Sequence, residues 1–191
     1  MVECAFTYFL LVREVIIMTE ILKKLIGGDL RSIGNVEEVI SDVYKDESLF
    51  ADVFDGMLSE NALIRMRAAD AIEKISRIKP AYLQSFKIRL INDVSQVEQQ
   101  EVRWHVAQML PRLELEKEEI PQIFNLLIHW IEISNSRIVK VNSLQALADM
   151  AEKYTDLKPL VINKVEEIIT SGSPAMVSRG KILIRKLSKN D

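Results

Sequence analysis

The sequence predicts an all-helical fold, an α-solenoid of about four to five antiparallel helix pairs, and three observations predict it. Six Gly and five Pro among 191 residues leave few turn formers, so regular structure dominates. The composition, 48% apolar and 28% charged, suits a buried core within one domain or one short repeat array. A segment also recurs four times along the chain, with its apolar positions at helical spacing.

The amino-terminal stretch comes first. Residues 5–12 (AFTYFLLV) match a signal-peptide core in length, but Glu3 precedes them, no small-residue cleavage site follows, and Arg13 and Glu14 interrupt the run. It falls well short of the roughly 20 residues that span a bilayer, so it reads as soluble helix. Met18 is an alternative natural start, because it opens a self-contained helical segment ended by Gly27 and Gly28. Residues 1–28 are therefore taken as an amino-terminal helical segment, with 1–17 upstream of the alternative start. Residues 29–191 form the repeat domain.

Four segments align without gaps, starting at Leu63, Glu101, Ile138 and Ala175, 38, 37 and 37 residues apart. The aligned columns Ile64/Val102/Val139/Met176, Ala68/Val106/Ser143/Gly180, Ala71/Met109/Ala146/Leu183, Ile72/Leu110/Leu147/Ile184 and Ile75/Leu113/Met150/Leu187 fall on one stripe of a helix. The second column holds small residues in three copies, as expected where two helices approach closely. Between these helices lie others. Pro80, Pro121 and Pro159 stand where three of them should begin, and a further amphipathic segment precedes Leu63. Asn61, Ser136 and Ser173 are capping residue types in the turn that enters a repeated helix. Leu30, Ile33, Val36 and Val39, spaced like Met66, Ala69, Ile72 and Ile75, place a fainter first copy from about Asp29.

The paired helices and the run Ile64-Arg65-x-x-Ala68, echoed by Val102-Arg103-x-x-Val106 and Val139-Lys140-x-x-Ser143, resemble HEAT repeats over residues 29–187. The resemblance implies a right-handed α-solenoid whose second helices line a concave surface, with Asp in the turn and Arg after the apolar position forming a ladder. Here Asn61 and Ser136 replace the Asp, and Val177 replaces the last basic residue. Arrays of this kind serve as scaffolds, transport receptors, DNA-binding proteins and a few enzymes.

Composition limits the chemistry. The net charge is −3, which argues against a generic polyanion binder. A single cysteine, Cys4, and no Asn-x-Ser/Thr acceptor point to a reducing compartment, the cytosol. No phosphate loop, dinucleotide fingerprint, nucleophile elbow or zinc motif occurs, so no cofactor, metal or enzymatic activity is expected. His105 and His129 lie on different helices and make a poor metal set. Glu116, Glu118 and Glu119 suit the start of a helix, and Trp130 lies in a segment, 120–133, apolar on nearly every side and so expected in the core.

Charge is uneven along the chain. From Asp29 to Glu60 there are nine acidic and two basic residues, whereas Arg179, Lys181, Arg185, Lys186 and Lys189 crowd the last helix. That basic end suits an anionic partner or the solvated face of a terminal repeat, and the opposed ends permit weak head-to-tail association of an otherwise monomeric chain.

Opposite the core stripe lie the columns Met66/Trp104/Val141/Ser178, Asp70/Gln108/Gln145/Ile182 and Glu73/Pro111/Ala148/Arg185, expected to be exposed. The resemblance puts them on the concave wall. Met66, Asp70, Trp104, Gln108, Val141 and Gln145 are accordingly candidates for holding a protein segment, with Trp104 the anchor unless it is inter-repeat core. The expected function is a non-catalytic protein-interaction module, with no membrane partner. The alternative is nucleic-acid binding, since some DNA-alkylation-repair proteins share this architecture. Its anion-binding residues would be Arg65, Arg103, Lys140, Arg179, Lys181 and Arg185, with Arg67 and Arg137 as further cations.

Overall fold

The computed structural model describes residues 18–29 and 31–188. The expectations for residues 1–17, Leu30 and Lys189 lie outside the described residues. Every regular element described is helical: α1 (Glu20–Lys23), α2 (Val36–Lys45), α3 (Leu49–Gly56), α4 (Ala62–Ile78), α5 (Pro80–Gln84), α6 (Lys87–Asn92), α7 (Gln100–Met109), α8 (Glu119–Ile133), α9 (Arg137–Lys153), α10 (Lys158–Ser171) and α11 (Pro174–Leu187). None of the described helices is long and apolar enough to cross a membrane.

The repeat register appears directly in the core. All five aligned columns are buried in every copy, except that Ile184 is half-buried. α3 packs on α4, α8 on α9 and α10 on α11, while α2, α4, α7, α9 and α11 each pack on the next of that series. The small-residue column sits at such a contact: a Cβ on Gly180 of α11 would stand 2.9 Å from Ile169 Cγ1 of α10. Phe50 and Phe54 of α3 meet Phe86 at ring-centroid distances of 5.3 and 4.6 Å, which ties α3 to the segment joining α5 and α6.

Local chemistry sets the helix ends. The Asn61 carbonyl oxygen accepts from Leu63 N and Ile64 N, and Ser136 Oγ accepts from Val139 N, whereas Ser173 makes no side-chain cap. Pro80 and Pro174 are first residues of their helices and Pro159 is the second of α10. Pro121 does not open a helix as expected, because α8 begins at Glu119, whose carboxylate accepts from Glu116 N at 2.7 Å and Lys87 Nζ at 2.7 Å.

Three further expectations are corrected. The second repeated helix stops at Met109 and continues as a 3-10 turn over Leu110–Arg112, since Pro111 supplies no backbone donor. The helix opened by Pro80 breaks before Lys87, where Phe86 leaves helical geometry and packs on the α3 aromatics. Residues 29 and 31–35 are not helical and Ile33 is exposed, so among the described residues the fainter copy is realised only in α2.

The reason lies on α4. Arg67 is buried, and its guanidinium donates to the carbonyls of Leu25, Gly27, Asp29 and Ser32, which fixes the loop before α2. A Cβ on Gly34, at φ 55°, would stand 2.7 Å from Arg67 Cζ, so glycine is required there for both space and backbone. In α8, Trp130 is buried as expected. The helix is not buried all round, because Asn125, His129, Glu132 and Ile133 form an exposed side.

Candidate interaction site

The repeated basic position supports the turns. Arg65 Nη1 donates to Ser59 O at 2.7 Å and Arg103 Nε to Val97 O at 3.1 Å, each six residues back, and Lys140 Nζ reaches Glu132 O at 3.3 Å. Arg65 Nε also donates to Gln99 Oε1 at 2.8 Å, and Gln99 Nε2 returns a bond to Ala62 O, joining α4 to the turn before α7. These three cations, named as candidate anion ligands, already serve backbone and amide acceptors. Arg179 donates to Gln145 Oε1 at 3.1 Å, and Arg185 Nε to Lys181 O of its own helix. Lys181 and Arg185 are exposed.

The expected free wall is largely a seam between successive helices. Met66 is 8% exposed, Glu73 1% and Ala148 fully buried, because the columns opposite the core stripe turn toward the next helix of the series. The expectation of exposure fails for these three residues. Asp70, Trp104, Gln108, Val141 and Gln145 are half-buried, and Trp104 packs against the core with its ring 5.7 Å from that of His105.

Acid–base rungs cross the seam. Lys74 meets Glu37 of α2 at 2.6 Å, Arg112 meets Glu73 of α4, and Lys186 meets Asp149 and Glu152 of α9 at 3.3 and 2.6 Å. Glu73 is also paired with Arg77 one turn on, at 2.6 Å. Both guanidinium partners hold its carboxyl below the ordinary range against the opposing effect of burial. His105 Nε2 lies 4.0 Å from Asp70 Oδ1, while its buried Nδ1 has no hydrogen-bond partner among the described residues. Burial lowers the His105 pKa, with Asp70 and Glu73 pulling the other way and Lys74 and Arg77 reinforcing it.

One rung is missing. In the columns that pair Glu73 with Arg112, the 3-10 turn after α7 supplies Pro111 and α9 supplies Asp149, so no acid–base pair forms between those positions. An open cleft of about 410 Å³ lies at this junction, lined by Glu73, Arg77, Gln108, Pro111, Arg112 and Asp149. Of the candidates from sequence, only Gln108 lines it. Periodicity pointed to the helix face but not to Arg77, Arg112 and Asp149, whose signal was the alternation of charge between neighbouring columns. Among the described residues, no group of three His, Cys, Asp or Glu side chains is placed to hold a metal ion.

Compared with protein-family models, curated proteins and solved structures, the chain matches none.

Proposed function

We propose that the chain is a HEAT-like α-solenoid and acts as a non-catalytic protein-interaction module, holding a partner segment along the second-helix series at the α7/α9 junction. The observation that carries this reading is the cleft left by the missing rung, lined by Glu73, Arg77, Gln108, Pro111, Arg112 and Asp149. Its walls combine the Gln108 amide and Pro111 with the charged groups of Glu73, Arg77, Arg112 and Asp149, a mixture that can hold a peptide through a few well-placed polar contacts. Nucleic-acid binding is the lesser reading, because Arg65, Arg67, Arg103 and Lys140 already donate within the chain.

The test is capture of partners from the host lysate on the tagged full chain, with and without nuclease. A nuclease-resistant protein should be retained. Trp104→Ala should weaken that binding by about 2 kcal/mol, a factor of roughly thirty. Since Trp104 also packs on the core, Gln108→Arg is the cleaner block of the cleft, and Asn125→Arg on the exposed side of α8 should change nothing. Equal retention by wild type, Trp104→Ala and Gln108→Arg, all folded by circular dichroism, would remove the proposal. Nucleic acid whose retention falls steeply with salt would replace it.

A further inference from the structure

The seam that joins each second helix to the next ends on α11 with nothing in the described chain to cover it. On α4 that seam is formed by Asp70, Glu73 and Ser76, which meet His105 and Arg112. The aligned positions of α11 are Ile182, Arg185 and Ser188, all exposed, with Ile182 at 52%. The adjoining side of α11 is occupied: Arg179 and Lys186, each one turn from Ile182, reach back to Gln145, Asp149 and Glu152 of α9. The uncovered side carries Lys181 and Arg185, and α11 contains no acidic residue.

The other end of the series is α2. Its residue aligned with Lys74, by the spacing that matches Val36 and Val39 to Ile72 and Ile75, is Glu38, 54% exposed on its side chain. Lys24 bridges Glu38 and Asp42 at 2.6 Å each, and Lys45 reaches Asp42 at 3.3 Å, which leaves Glu38 as the exposed carboxylate of the group. Ile26 and Ile33 are exposed in the loop before α2.

Inside the chain, the rungs Glu37–Lys74, Glu73–Arg112 and Asp149–Lys186 place the acid on the preceding helix and the base on the following one. At the two ends of the described series the polarity is reversed, with a base at Arg185 and an acid at Glu38. We propose that the protein assembles head to tail, the open seam of α11 on one copy seating against α2 of the next, with Arg185 opposite Glu38 and Ile182 covered by the contact. The reversed polarity disfavours either end against an internal seam, so the two ends select each other. Repetition of a heterologous contact of this kind gives open chains of copies.

Sedimentation velocity on the full chain, in low salt and over a range of protein concentrations, tests this. The mass should rise with concentration and fall back to monomer near 1 M salt, where charges are screened within about 3 Å. Arg185→Glu and Glu38→Lys should each weaken association at least tenfold. An equimolar mixture of the two variants should associate again, because both contacts between unlike variants pair opposite charges, and the double variant Glu38→Lys/Arg185→Glu should self-associate. Circular dichroism confirms that every variant is folded. A monomer at all concentrations, an assembly unaffected by either single variant, or failure of the mixture to recover would each overturn the proposal. Occupation of the α11 seam by an acidic helix of a different protein, with no self-association, would overturn it too.

Discussion

His105 is held neutral by its surroundings, and that makes it a pH sensor of stability. Burial disfavours the imidazolium, so the folded chain binds the proton less readily than the unfolded chain does. The unfolded state takes up protons first as pH falls through the ordinary histidine range, near about 6.5, and stability is lost there. Above that range the contribution is fully present. Glu73 has the same sign in a lower window: Arg112 and Arg77 keep it ionised, and its contribution vanishes as pH drops through the depressed carboxyl range. The urea midpoint of wild type should therefore fall between pH 8 and pH 5.5, and the fall should be smaller in His105→Gln. An identical fall in the two proteins would remove His105 as the cause.

At the scale of the element, helices that look equivalent in sequence differ in how they start. Asn61 closes α4 with bonds to two backbone donors, whereas Ser173 stands at the same place before α11 and makes none. Asn61→Ala should cost about 1 kcal/mol of unfolding free energy. Ser173→Ala should be close to neutral, as thermal or urea denaturation would show, and equal costs would contradict the difference in caps. The same contrast marks what sequence can reveal. Positions such as Ile64, Ala68 and Ile72 were legible because burial repeats with the helical period, and the core uses that period in every copy. Residues 29 and 31–35 were not, since the loop before α2 depends on Arg67, which lies more than thirty residues downstream and reads in sequence as a solvent-facing cation. Met66 and Glu73 were placed on the correct side of α4, but a single helix does not specify that its neighbour will cover that side. The cleft was hidden for a related reason: it arises from a lapse in pairing between helices, visible only when the Pro111 and Asp149 columns are set side by side.

Across the molecule, stability follows position in the series. α4, α7 and α9 each have a second helix packed on both sides, while α11 has one on a single side. Opening α11 breaks contacts chiefly with α9 and α10, so its amides should exchange with solvent faster than those in the middle of α4 or α9. Hydrogen exchange followed by mass spectrometry resolves the two classes, and uniform protection from α4 to α11 would show that the chain opens as one unit instead.

Arg67 bears on the order in which a growing chain becomes native. Its donors hold the carbonyls of residues 25–32, yet the guanidinium is synthesised up to 42 residues after the first of them. During translation the loop around Gly27 and Gly34 leaves the ribosome well before the group that organises it. The loop before α2 cannot reach its final shape until α4 has emerged and folded, so order spreads backward along the chain from α4 to that loop.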